Sequence, residues 1–124
     1  MFLFPNYIMN RSPVLRYSIL VDTKSFILTL FLNGRAVKTY PIGVGKIVTP
    51  TPHGDYRIIS KAVNPGGPYG VRWMGLNKRG YGIHGTNNPH SIGKRVSHGC
   101  IRLYNKDIID LYNKVPIGTI VRIR

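Results

Sequence analysis

The sequence predicts a mainly β fold, a compact β sandwich or barrel with one short helix. Short runs rich in apolar, β-branched and aromatic residues recur along the chain, bounded by Gly, Pro, Asn or Asp, which is typical of short strands joined by turns. Only residues 105–114 repeat apolar residues at a helical spacing. The chain has 124 residues, the length of a single domain. We expect residues 1–16 to form a lead-in segment and residues 17–124 to form the folded domain.

The first strands predict a hairpin. A short strand at 19–21 is followed, after a turn, by a β-rich run at 26–32 that ends at Asn33-Gly34. An Asn-Gly pair favours a type I′ turn, because both central residues of that turn need positive φ. Residues 35–40 alternate as the returning strand.

The rest of the chain predicts a further strand, an irregular surface, the helix and a closing strand. Residues 55–59 are β-rich, whereas 64–82 contain too much glycine and proline for a helix and indicate loops with short strands. The helix at 105–114 has Asn105 as its expected N-cap. A last strand is expected within 117–123.

The charge is strongly basic. Eighteen Lys and Arg residues stand against four Asp and no Glu, for a net charge of +14, which favours polyanionic partners. The basic residues are scattered, whereas a dedicated nucleic-acid binder concentrates them on one face. We therefore expect no nucleic-acid partner, and keep a basic, non-catalytic module that binds wall polymer or nucleic acid as an alternative.

The sequence indicates no transmembrane segment, since no apolar run approaches the roughly 20 residues of a membrane span. Residues 1–9 are apolar, but they contain Pro5 and no basic residue precedes them, so they are a poor match to a signal peptide. The single cysteine, Cys100, excludes an intramolecular disulfide.

Two short segments, 83–86 (Ile-His-Gly-Thr) and 97–102 (Ser-His-Gly-Cys-Ile-Arg), carry residues suited to acyl transfer. A thiol is mostly protonated at neutral pH, so a nucleophilic cysteine needs a neighbouring base or cation. His84 and His98 lie within sixteen positions of Cys100, and we expect a thiol activated near neutral pH. The alternatives are a buried core cysteine and a metal site on the same three side chains.

These segments resemble the catalytic domain of YkuD-type L,D-transpeptidases. The resemblance extends from Ile19 to the end of the chain and has as its signature a histidine, a spacer and Ser/Thr-His-Gly-Cys. It includes Gly-Val-Gly-Lys at 43–46, Thr-Pro-His-Gly at 51–54 and Tyr-Gly-Ile-His-Gly-Thr at 81–86. The family's mainly β sandwich or barrel agrees with the fold predicted from the strands.

The resemblance implies roles for five residues at the reacting centre. Cys100 is the expected nucleophile and His84 the general base and later acid. The backbone carbonyl of Gly85 is expected to orient the His84 ring. His98 and Gly99 are expected to support the site and to supply backbone N–H groups to an oxyanion hole.

Five further residues are expected to bind substrate or support its binding. Arg102 stands where many family members carry Asn, and it is expected to steady the site or to bind a substrate carboxylate. Ser97 has an expected local hydrogen-bonding role. Tyr69, Trp73 and Tyr81 are expected to line a groove for the peptide. The resemblance implies neither a metal nor an organic cofactor.

The implied substrate is a peptidoglycan stem peptide, and the implied product is a 3–3 cross-link. The thiolate attacks the bond between the third stem residue and the terminal D-Ala, D-Ala leaves, and an amine of a second stem resolves the thioester. Water as acceptor makes the enzyme an L,D-carboxypeptidase or cysteine peptidase, which stays an alternative. We further expect a carbapenem adduct on Cys100, a location in the cell wall or spore envelope, and a monomer.

Overall fold

The computed structural model describes residues 15–124. Within these residues, ten strands and one α-helix make up the regular structure, with short 3₁₀ turns at Gly67–Tyr69 and Pro89–Ser91. The elements are β1 (Tyr17–Asp22), β2 (Ile27–Leu32), β3 (Arg35–Pro41), β4 (Val44–Gly45), β5 (Gly54–Val63), β6 (Arg72–Leu76), β7 (Gly82–His84), β8 (Arg95–Ser97), β9 (Ile101–Arg102), α1 (Asn105–Lys114) and β10 (Ile120–Ile123). The predicted mainly β class with one short helix is confirmed.

Eight strands form one sheet in the order β3-β2-β1-β10-β5-β6-β7-β9, and β4 pairs with β8 in a second, two-stranded sheet. The last strand, β10, lies between β1, with which it runs parallel, and β5, with which it runs antiparallel. The parallel pair β7–β9 ends the large sheet. The segment at 64–82, expected to be loops with short strands, contains the five-residue strand β6.

The predicted β2–β3 hairpin is present. Asn33 and Gly34 connect the two antiparallel strands with φ values of 50° and 83°, the left-handed pair that a type I′ turn requires. The Asn33 side chain also accepts a hydrogen bond from the Arg16 backbone at 2.8 Å. The turn thus holds the residue that precedes β1.

Alternate residues of the strands bury one face of the large sheet. The helix adds Ile108 and Leu111 to this core, and each fully buried side chain of this size contributes roughly 1.5–3 kcal/mol. The buried strand residues include Ile19, Val21, Leu28, Leu30, Ile58, Met74, Ile83, Ile101 and Val121.

The helix begins and ends where the sequence predicts, but its N-cap differs. Tyr104 occupies the N-cap position, and Asn105 is the first helical residue. The expectation that Asn105 caps the helix is therefore wrong, because its side chain accepts hydrogen bonds from Thr86 and Val71 instead. At the other end, the Lys61 ammonium donates to the carbonyls of Tyr112 and Val115 at 2.6 and 2.8 Å, groups that a helix C-terminus leaves without partners.

Asp110 ties the helix to β3. Its carboxylate accepts from the Tyr40 hydroxyl at 2.7 Å and forms ion pairs with Lys38 and Lys114 at 2.9 and 3.1 Å. The hydrogen bonds from Lys38 and Tyr40 hold the pKa of Asp110 well below its ordinary value. The Tyr40 ring is fully buried, so its hydroxyl needs this partner.

Residues 1–14, most of the expected lead-in segment, lie outside the described residues, and β1 begins at Tyr17. No helix in residues 15–124 combines the length and the hydrophobicity needed to span a bilayer.

Candidate active site

The sheet places the two segments that carry His84 and Cys100 side by side. In the parallel pair β7–β9, Ile83 lies opposite Ile101 and His84 lies opposite Arg102. Cys100 immediately precedes β9, so it lies beside Gly82, two residues before His84. Since side chains two residues apart share a face of a strand, this register directs Cys100 and His84 to the same side of the sheet edge.

His84 is buried and held by its own neighbour. The residue is only 2 % exposed, and its Nδ1 donates to the Gly85 carbonyl at 2.5 Å. A carbonyl can only accept, so Nδ1 carries the proton in the neutral ring and Nε2 keeps a free lone pair. That tautomer is the one a general base working through Nε2 requires.

Two aromatic rings pack on the His84 imidazole. Trp73 stacks on it with ring centroids 5.6 Å apart and an interplanar angle of 17°. Tyr69 meets it edge-on at 5.1 Å and 82°, and also contacts Trp73 edge-on at 5.2 Å. Both residues, predicted as groove residues, therefore contact the histidine directly, while their contact with substrate stays a prediction.

Burial lowers the pKa of His84 to about 4. Removal of water is the largest cause, the hydrogen bond to Gly85 works in the opposite direction, and the positive charge of Arg102 lowers the pKa further. The imidazole is therefore neutral near pH 7, able to take up a proton.

The Cys100 thiol is partly buried, and burial raises its pKa above the ordinary value. The Gly82 backbone N–H and the positive charge of Arg102 favour the thiolate but do not outweigh burial. In this structure Sγ donates to the Gly80 carbonyl at 3.5 Å and makes no hydrogen bond to His84. Burial thus favours a neutral thiol beside a neutral imidazole, and activation of the thiol near neutral pH stays a prediction.

Ser97 shapes the turn that carries the thiol. Its buried hydroxyl accepts from the Gly99 N–H at 3.1 Å and donates to the Cys100 carbonyl at 2.7 Å. Gly99 has φ of +120°, and a Cβ there would collide with the Tyr81 ring. Glycine is thus required by both the backbone conformation and the packing of Tyr81.

The N–H of Gly99, expected to face an oxyanion, is engaged by Ser97 in this structure. The N–H groups of His98 and Cys100 donate no hydrogen bond to any of residues 15–124. The His98 side chain is exposed, in contrast to that of His84. The two histidines therefore occupy very different environments.

Arg102 lies beside His84 across the β7–β9 pair and is half-buried. Its Nε atom is buried and has no hydrogen-bond partner. A buried donor without a partner is costly. Among residues 15–124, no three His, Cys, Asp or Glu side chains come close enough to share a metal ion.

Sequence reasoning missed three groups at the site. The Gly80 carbonyl and the Gly82 N–H contact the sulfur, and Asn105 binds the loop that follows His84. Backbone groups have no residue-type signature, so the first two could not be read from the motif. Asn105 was predicted only as a helix cap, and its sequence context gives no sign of partners that lie 19 and 34 positions away.

The chain belongs to the L,D-transpeptidase catalytic domain family, YkuD, which matches residues 16–123. It is 59% identical over 107 residues to the L,D-transpeptidase-type protein YkuD of Bacillus subtilis, covering 86% of this chain and 65% of that protein. The chain thus spans just under two thirds of that relative.

Solved structures agree with this assignment. The catalytic domain of the Enterococcus faecium L,D-transpeptidase superposes with a TM-score of 0.76 at 27% identity, covering 91% of this chain and 100% of that one. A Mycobacterium tuberculosis L,D-transpeptidase gives 0.77 at 25% identity, covering 89% and 58%. These similarities, together with the large sheet and the helix α1, confirm the predicted family and fold.

Proposed function

We propose that this protein is a peptidoglycan L,D-transpeptidase that uses Cys100 as its nucleophile. The observation that supports this most is the state of His84, a buried neutral imidazole whose Nδ1–H is fixed on Gly85, on the strand beside Cys100. Such a ring can only accept at Nε2, so it is suited to take a proton from a thiol.

The proposed first step begins from a neutral pair. The thiol turns from the Gly80 carbonyl toward His84 Nε2, which takes its proton as the sulfur attacks the carbonyl carbon of the third stem residue. A C–S bond forms, and collapse of the tetrahedral intermediate breaks the bond to D-Ala. His84 returns the proton to the leaving amine, which leaves a thioester on Cys100.

In the second step, the side-chain amine of another stem attacks the thioester. A C–N bond forms as His84 takes a proton from this amine, and the C–S bond breaks. His84 passes the proton to the departing sulfur, which regenerates the thiol and leaves a 3–3 cross-link. Water in place of the amine gives the hydrolytic product.

Stabilisation of the oxyanion is proposed to come from the unengaged N–H groups of Cys100 and His98. Because the Gly99 N–H is held by Ser97, we assign to Gly99 the turn conformation rather than a donor. We propose that Arg102, with its unpartnered Nε, binds a carboxylate of the stem peptide. Tyr81 packs over Gly99 and is proposed to border the same groove.

The proposed partners follow from this substrate. We propose a monomer in which residues 17–124 form the catalytic domain. A peptidoglycan substrate places the protein outside the cytoplasm, in the cell wall or spore envelope, where a net charge of +14 favours association with anionic polymers.

The test is incubation of the protein with a purified disaccharide-tetrapeptide, followed by mass spectrometry of the products. A dimer lighter than two substrates by one D-Ala supports transfer. Accumulation of the tripeptide alone indicates hydrolysis instead. Unchanged substrate, with the protein folded, contradicts the proposal and favours the non-catalytic binding module.

A further inference from the structure

Asn105 holds the loop that follows His84. Its Oδ1 atom accepts from the Thr86 N–H at 3.1 Å and from the Val71 N–H at 3.4 Å. Both neighbours are donors, so the atom facing them must be the amide oxygen rather than the nitrogen. One side chain at the start of α1 therefore joins two loops of the candidate site.

The geometry of the peptide bond carries this contact to the histidine. The Thr86 N–H and the Gly85 C=O belong to one planar peptide unit, so fixing the direction of the N–H also fixes that of the carbonyl. That carbonyl is the acceptor of the His84 Nδ1–H. Asn105 thus lies one peptide unit away from the bond that selects the His84 tautomer.

Two glycines make room for this side chain. A Cβ on Gly85 or on Gly70 would collide with Oδ1 of Asn105, and a Cβ on Gly70 would also meet the Thr86 nitrogen. Gly70 additionally has φ of +65°, which favours glycine. The close approach of Asn105 therefore depends on glycines in two other segments of the chain.

We propose that Asn105 is a positioning residue that sets the tautomer and orientation of His84 by clamping the Gly85–Thr86 peptide. The catalytic part of this inference rests on the proposed role of His84 as general base. With the clamp, Nδ1–H points to the Gly85 carbonyl and the lone pair stays on Nε2. Without the Asn105 side chain, the Gly85–Thr86 peptide is free to rotate, and no fixed acceptor then favours one His84 tautomer over the other.

The experiment is nitrogen-15 NMR of the imidazole in the full chain, which reports which ring nitrogen carries the proton. The variants are Asn105→Ala, which removes the acceptor, and Asn105→Asp, which keeps an oxygen for both N–H groups. Asn113→Ala is the matched control, since Asn113 is an exposed asparagine of the same helix.

Wild type, Asn105→Asp and Asn113→Ala are expected to show His84 protonated at Nδ1, and Asn105→Ala is expected to show both tautomers. A single Nδ1–H tautomer in folded Asn105→Ala, or a mixture in Asn105→Asp, overturns the inference. Should Asn105→Ala fail to fold, Asn105→Ser takes its place, because its hydroxyl is too short to reach both N–H groups.

Activity gives the second readout. Displacement of a catalytic group by about 1 Å can cost about 10²-fold, so kcat for Asn105→Ala is expected to fall by roughly 10- to 100-fold while Asn113→Ala is unchanged. A wild type without transpeptidase activity would refute the proposed function but leave the NMR result intact. The two failures are therefore distinguishable.

Discussion

The pKa of His84 predicts that the protein loses stability as the pH falls from about 6.5 to about 4. Burial lowers this pKa from 6.5 to about 4 in the folded state, whereas the unfolded chain exposes the ring and protonates it at its ordinary value. Stability rises with pH wherever the unfolded state binds more protons, so acidification through this window favours unfolding. At about 1.4 kcal/mol per pH unit, the loss in the free energy of unfolding is roughly 3 kcal/mol. The free energy of unfolding of a domain is typically about 5–15 kcal/mol, so this loss is a large part of it.

Urea unfolding of wild type and His84→Gln at intervals between pH 4 and 8 measures this loss. Glutamine does not titrate and keeps an N–H for the Gly85 carbonyl. Because Asp110 and the other histidines are present in both proteins, their contributions cancel in the difference between the two free energies of unfolding. The free energy of unfolding of wild type relative to the variant is expected to be constant above pH 7 and to fall by about 3 kcal/mol at pH 4. A difference that stays constant across the whole range would show that His84 titrates normally in the folded protein, and the argument for a neutral base would be refuted.

Four further outcomes are expected. Cys100→Ala should abolish turnover with an unchanged urea midpoint, and retained turnover would rule out this nucleophile. A carbapenem should add its mass to the wild-type protein and not to Cys100→Ala, as intact-mass spectrometry will show, and no adduct at saturating drug would count against the family chemistry here. Arg102→Gln should raise the pKa of both Cys100 and His84, because the positive charge of Arg102 lowers both. The dependence of the alkylation rate on pH measures the first pKa and imidazole NMR measures the second. Unchanged pKa values for both groups would contradict this prediction. Ser97→Ala removes the partner of the buried Gly99 N–H and should lower the free energy of unfolding in urea by about 1–3 kcal/mol. Ser97→Thr is the control, because it keeps the hydroxyl. Equal stability of the two variants would mean that the hydroxyl does not hold the turn.

Local signals in the sequence were sufficient for the hairpin and the helix. Asn33-Gly34 specifies its turn through the φ values it tolerates, and the apolar spacing at 105–114 specifies the helical face. The order of the sheet could not be predicted in the same way. β10 pairs with β1 and β5 across long separations in sequence, and such pairings depend on the whole core rather than on any single segment.

At the candidate site, the motif identified the chemistry but not the protonation states. The roles of His84 and Cys100 were predicted from the resemblance to the family motif, yet the burial that lowers the pKa of His84 comes with the packing of Tyr69 and Trp73 on its ring. Asn105 was interpreted as a helix cap because its local context favours one. Its actual partners, Thr86 and Val71, lie 19 and 34 positions away, so only the folded chain brings them together.

The most direct test of Cys100 as the acyl carrier is intact-mass spectrometry of the protein, quenched in acid during turnover of a tetrapeptide stem and followed by peptide mapping. We expect an added mass equal to the stem peptide minus D-Ala, located on the peptide that contains Cys100 and removed by hydroxylamine. Release of D-Ala without any adduct, or an adduct on another residue, would contradict a thioester at Cys100.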